Sequence, residues 1–229
     1  MARSPLMAAL ASLLALAGAG SALAARSASS HSGGGCKSAR SSDFSGGKCP
    51  GGRFHRGPGA AKHVLFYRPH HGHCRDATLA PNRHDLARVR AATLCLINRE
   101  RTRHGERPLY WNLHLLSAAQ AHTESMAFGA YFAHVGPRGL TPLMRLRRTG
   151  YIANSREGYE IAENIGWGSL WLGTPKAIVA TWMGSAGHRA NILDRHFRDT
   201  GIGVSPHTNG LAHGQRGGIY TEDFGVIVG

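Results

Sequence analysis

The sequence predicts an α+β domain in which helices are layered on a small antiparallel sheet. Three observations carry this reading. Apolar residues recur at steps of 3 and 4 through the middle of the chain, the period of a buried helix face, and at steps of 2 near the C-terminus, the period of a strand. Threonine–proline pairs and glycines punctuate the periodic stretches where caps and stops are needed. Helical patterns come first and strand patterns mostly later, which favours helices stacked on an antiparallel sheet over a repeated βαβ unit.

The elements follow in order. Asn82 or Asp85 can cap a helix whose stripe is Leu86, Val89, Thr93 and Leu96, ending at His104-Gly105. Asn112 announces a second, with Leu115, Ala119, His122 and Met126 on one side and Gly129 at its end. His122, on an apolar face, reads as a core histidine. Thr141-Pro142 opens a third, short helix through Leu143 and Leu146 that stops at Gly150. Thr174-Pro175 opens a fourth, carrying Ile178, Val179, Trp182 and Met183. Residues 201–204 read as a short strand. Residues 219–228 read as a longer one, alternating Tyr220, Glu222, Phe224, Val226 and Val228 onto one face. The glycine-rich stretch 207–218 between them is expected to be an exposed hairpin loop.

Ahead of this domain lies a different kind of sequence. Arg3, the apolar run from Leu6 to Gly20 and the spacing Ala22-Leu23-Ala24 predict a signal peptide over 1–24. An uncleaved anchor is the alternative. No later stretch approaches the roughly 20 apolar residues of a membrane span, so the protein is expected to be exported and not transmembrane. Residues 25–80 are dominated by glycine, serine and basic residues and read as a mostly disordered linker. Within it, residues 64–67 form a possible short strand, and His70, His71 and His73 a polar run able to catch a metal. The folded domain is assigned to 81–229. Four cysteines, Cys36, Cys49, Cys74 and Cys95, read as disulfides in an exported chain. Three pairings exist; Cys74–Cys95 is preferred because it staples the loop before the first helix onto that helix, leaving Cys36–Cys49 inside the tail.

The formal net charge is +14. No zinc finger, aromatic RNA-binding signature or basic recognition helix accompanies it, so nucleic acid is not expected as a partner. Outside the cell the fitting polyanions are wall polymers and lipid surfaces. A solvated basic surface with no single partner fits the composition as well, and a monomer is expected.

Four stretches place histidine or carboxylate among apolar residues, where a charge is costly to bury. They are Tyr131-Phe132-Ala133-His134, Ala162-Glu163-Asn164-Ile165, the run from Gly187-His188 to Leu193, and Tyr220-Thr221-Glu222-Asp223-Phe224. With Leu94 to Arg101, Pro108-Leu109 and Trp182-Met183-Gly184-Ser185-Ala186-Gly187-His188, they resemble the bacterial branch of the CAP superfamily, also called SCP-like, of cysteine-rich secretory, antigen 5 and pathogenesis-related proteins. The resemblance implies an α-β-α sandwich with a cleft lined by histidines and glutamates, around one divalent metal such as zinc in some members. His134 and Glu163 match that pattern. Ser185 stands where the family has a glutamate and Ile219 where it has a histidine, while Glu222 stands at a usual glutamine. His188 and Glu222 supply the missing residue types. The expected cleft is therefore His134, Glu163, His188 and Glu222, with Ser185 and Asn164 beside them, and the candidate metal ligands are His134, Glu163 and His188. Structural roles are the alternative: His134 capping a loop, Glu163 accepting backbone N–H groups, His188 orienting the turn after Trp182.

Neither a Gly-x-Ser-x-Gly elbow nor a His-Glu-x-x-His helix is present. The sequence therefore favours a secreted, cell-wall-associated binding module for a lipid, glycan or peptide over an enzyme. A metal-dependent hydrolase in the same cleft, with a zinc-bound water or with Ser185 activated by His188, is the alternative. A domain tethered to an anionic wall by its basic tail is a third.

Overall fold

The expected helix starts are present, and side-chain caps explain those of the second and third helices. The computed structural model describes residues 73–129, 131–154, 158–208 and 210–228, together with the backbone of 23–27. Helix α1 spans Leu86–Arg103; Asp85 precedes it but turns its carboxylate to Arg88 and Asn82 rather than to the helix N–H groups. Helix α2 spans Leu113–Gly129, with the Asn112 side-chain oxygen accepting from the His114 and Leu115 amides. Helix α3, Pro142–Thr149, is capped by the Thr141 hydroxyl, which accepts from Met144 N–H; Gly150 closes it at φ 81°, a left-handed conformation that suits glycine. Helix α4, Pro175–Gly184, follows Thr174 as expected.

Several elements were not legible, the longest being a strand and a further helix. Residues 186–193 form a further helix, α5 (Ala186–Leu193), separated from α4 only by Ser185. Ala162 to Ile165, given no element by the sequence pattern, lie in the middle of a 12-residue strand, β3 (Gly158–Ser169). This strand is buried on both faces over most of its length, so it lacks the apolar–polar alternation that betrays a half-buried strand. The remaining strands are β1 (Leu23–Ser27), β2 (Tyr110–Trp111), β4 (Asp199–Ser205) and β5 (Gly217–Val228). The sheet order is β1-β3-β5-β4-β2, antiparallel except where β2 runs parallel to β4.

Helices cover both faces. On one side Val89, Leu96 and Ile97 of α1, Ile178 and Trp182 of α4 and Ile192 of α5 pack on Ala162, Ile202, Val204, Tyr220 and Phe224. On the other, α2 and α3 pack on β3 and β5 through Leu115, Met126, Leu146, Ile161, Ile165 and Ile219. Helix α2 lies directly on β4: a Cβ at Gly201 would fall 2.0 Å from the Leu116 nitrogen and one at Gly203 2.3 Å from the Ala119 oxygen.

Cys74 and Cys95 are bonded, with Cα atoms 5.7 Å apart, and tie the segment ahead of α1 to the helix. The described residues thus reach ahead of Pro81, back to His73. Cys36, Cys49, residues 64–67, His70 and His71 lie outside the described residues. The connection between β4 and β5 is only partly exposed, since Thr208 and Ala212 are buried. Among the described residues no helix is long and apolar enough to cross a membrane.

Candidate functional site

Strand register decides which acidic groups meet. Residues directly opposite in an antiparallel pair share a face. Glu163 of β3 is opposite Asp223 of β5, and Asn164 is opposite Glu222. Glu163 and Asp223 therefore face α2 and α3, whereas Asn164 and Glu222 face α1 and α5.

Glu163 is fully buried and is the hub. Its Oε1 accepts from His134 Nδ1 at 2.7 Å and lies 4.0 Å from His122 Nε2. Its Oε2 is held by the Arg145 guanidinium of α3, whose other arm donates to the carbonyls of His134 (3.0 Å) and Leu140 (2.9 Å). Arg145 thus fixes both the carboxylate and the loop that carries His134. His122 hydrogen-bonds the Ala133 carbonyl at 3.0 Å, a second tie on that loop. Burial raises the Glu163 and Asp223 carboxyls above their ordinary range, against the opposing charge of Arg145. Two adjacent buried carboxyls cannot both ionise cheaply, and after burial the neighbouring Glu163 raises Asp223 further.

Burial, with the charge of Arg145 added, pulls His134 down to about 4 and His122 down to about 3. Both rings are neutral at neutral pH. With Glu163 accepting at Nδ1–H, the His134 tautomer leaves Nε2 as a lone-pair acceptor, and this shielded atom has no hydrogen-bond partner. His188 of α5 is 4% exposed, and neither of its ring nitrogens has a partner. Burial, and then the charge of His134, lower its proton affinity. A small pocket of about 140 Å³ between α2 and α3 adjoins this cluster, lined by Ala118, Ala121 and Leu140 with His122 and Arg145.

The fold therefore joins His134 to Glu163. Asn164 instead bridges to α5, donating to the His188 carbonyl at 3.2 Å and accepting from Asn191 at 2.9 Å. Glu222, fully buried on the α1 side, accepts from the Thr200 hydroxyl at 3.1 Å, and burial raises its carboxyl above the usual range. Ser185 sits at the start of α5 and makes no hydrogen bond to His188.

These donors do not fit a complete metal site. His134, backed by a carboxylate at Nδ1, has the arrangement of a metal-bound imidazole. Glu163, however, is taken by a guanidinium. Among the described residues His134, Glu163 and His188 do not bring three ligand atoms within 4.8 Å of one another. Two imidazoles fall short of the three protein ligands of a catalytic zinc site.

Arg145, His122 and Asp223 are the members that sequence reasoning did not place. A buried arginine leaves no periodic signal beside Leu146. Asp223 had one, because alternation along β5 already sets it on the face opposite Glu222.

The chain matches the model of the Cysteine-rich secretory protein family, CAP, over residues 94–224. It is 32% identical over 130 residues to the uncharacterized protein YkwD of Bacillus subtilis (strain 168), covering 56% of this chain and 44% of that protein. It is also 32% identical over 111 residues to the uncharacterized membrane protein YlbC of the same organism, covering 48% of this chain and 30% of that one. The chain thus spans less than half the length of these curated relatives. Two solved structures are similar. One is an extracellular protein containing a SCP domain from Bacillus anthracis str. Ames, with 24% identity, 62% of this chain and 40% of that chain covered, and a TM-score of 0.43. The other is an outer surface protein from Borrelia burgdorferi, with 16% identity, 58% and 87% covered, and a TM-score of 0.46. With the family model spanning more than half of the chain, this protein belongs to the Cysteine-rich secretory protein (CAP) family.

Proposed function

We propose that the protein is an exported, non-catalytic binding module that holds a hydroxyl- or amide-bearing group of an extracellular glycan or peptide between His134 and His188. One observation carries the reading: His134 Nε2 and both ring nitrogens of His188 are shielded yet without partners, while the Glu163 carboxylate is engaged by His134 Nδ1 and Arg145. A neutral imidazole with an open Nε2 lone pair asks for an N–H or O–H donor rather than for an anion. Hydroxyl and amide groups of wall glycopeptides supply it, and the adjoining pocket has room for a small apolar substituent.

A hydrolase is less well supported by the same geometry. A carboxylate clamped by Arg145 is a poor base for water, and Ser185 lacks the hydrogen bond to His188 that would activate it. The test is a calorimetric titration of the exported chain with soluble disaccharide-peptides from digested peptidoglycan and, separately, with phosphatidylglycerol vesicles. Saturable glycopeptide binding that weakens at least about tenfold in His134→Ala, with no fragment cleaved, is the expected result. Cleavage of the fragments establishes the hydrolase instead, and binding of vesicles alone moves the ligand to a lipid surface.

A further inference from the structure

A second cluster lies on β3, separate from the cleft. Glu160 is three residues from Glu163, so its side chain leaves the opposite face of the strand. It meets Asp194, which ends α5, and His196 in the turn that follows. One ligand atom from each of the three lies within 4.8 Å of the others.

We infer that Glu160, Asp194 and His196 form a binding site for a zinc-type divalent cation, distinct from the histidine cleft. Spacing is the first argument. His196 Nδ1 is 3.0 Å from Asp194 Oδ1 and 3.5 Å from Glu160 Oε2. Ligands bound at about 2.1 Å stand about 3.0 Å apart at a right angle and about 3.4 Å apart at the tetrahedral angle. Direction is the second. His196 Nδ1 is shielded from solvent and close to both carboxylates, yet it makes an aligned hydrogen bond to neither. A shielded ring nitrogen this close to two carboxylate oxygens, with an aligned bond to neither, is available to share a cation with them.

The scaffold is the third argument. The His196 amide donates to Asp194 Oδ1 at 2.9 Å and orients that carboxylate. Arg101, buried in α1, donates to the carbonyls of Ile192 and Asp194, and Arg198 donates to those of Arg195, His196 and Phe197. The turn is thus held from both sides before any ion arrives. Both carboxylates have other contacts as well, and the cation would share them. The His196 side chain is 43% exposed, so the cluster lies at the surface although Nδ1 itself is shielded. One imidazole nitrogen with two carboxylate oxygens suits zinc and its first-row neighbours better than calcium or magnesium, which take oxygen alone. A bound ion would tie the end of α5 to β3 and so steady the helix that carries His188.

The experiment is calorimetric titration of the full chain with zinc chloride, comparing the wild type with H196A, E160Q, H134A and the triple variant H70A/H71A/H73A. The expected result is a site in the wild type, H134A and the triple variant whose affinity falls at least about tenfold in H196A and E160Q. Without zinc, H196A should melt as the wild type does, and only the zinc-induced rise in melting temperature should disappear. Absence of zinc binding by the wild type overturns the inference. So does wild-type affinity in both H196A and E160Q, including the case in which only H134A or the triple variant loses the ion.

Discussion

Glu163 shows how a buried carboxylate is made tolerable. An isolated ionised carboxylate in a protein interior is prohibitively costly, and removing one partner of a buried pair costs about 3–5 kcal/mol. Here Arg145 supplies charge, His134 supplies a hydrogen bond, and burial with the neighbouring Glu163 raises the Asp223 carboxyl, which opposes a second charge beside the first. The same surroundings keep His122 neutral, with Arg145, His134 and Glu163 as the charged or titratable groups facing it. The sign of the linkage follows. His122 is held at about 3 in the fold against its ordinary 6.5, so the unfolded chain takes up a proton first as pH falls. The associated stability is present above pH 6.5 and is lost progressively toward pH 3, by an amount on the order of a few kcal/mol. Thermal melts should therefore show the H122Q variant gaining on the wild type as pH is lowered from 7 to about 4. A difference in melting temperature that does not change over this range would mean that the ring is not desolvated as described.

At the scale of elements, the contact of α2 with β4 is the least forgiving joint. Alanine at position 203 would put its Cβ 2.3 Å from the Ala119 oxygen, a backbone atom that cannot move without shifting the helix. Gly203→Ala should destabilise the domain by about 3 kcal/mol, read by denaturant unfolding, with α2 displaced from the sheet. Destabilisation below about 0.5 kcal/mol would show that the helix rides higher than described. The starts of α2, α3 and α4 were legible because Asn112, Thr141-Pro142 and Thr174-Pro175 carry their chemistry locally. Strand β3 and helix α5 were not. A strand buried on both faces has no alternation to read, and α5 is a short helix interrupted early by Gly187, with its apolar pair only at the end.

For the whole molecule, motif order led to the CAP family and to the contact of His134 with Glu163, but not to the composition of the cleft. Register is a property of two strands at once, and a shift of one residue exchanges their faces. That is why Glu222 belongs with Thr200 near Arg101, while Asp223 belongs with Glu163. Arg145 and His122 became visible only when α2 and α3 closed over the same strand. The charge is also unevenly spread: nine of the 27 Lys and Arg, but one of the 13 Asp and Glu, precede His73. Electrostatic attraction to an anionic surface would then be concentrated in that segment and recognition in the cleft.

The most direct test of that division is a double-mutant cycle on glycopeptide affinity, using wild type, H134A, H188A and the double variant. If both rings hold one ligand, each single change weakens binding and the two losses couple by at least about 0.5 kcal/mol. Additive losses, or a single variant that binds as the wild type does, would mean that His134 and His188 do not form one site.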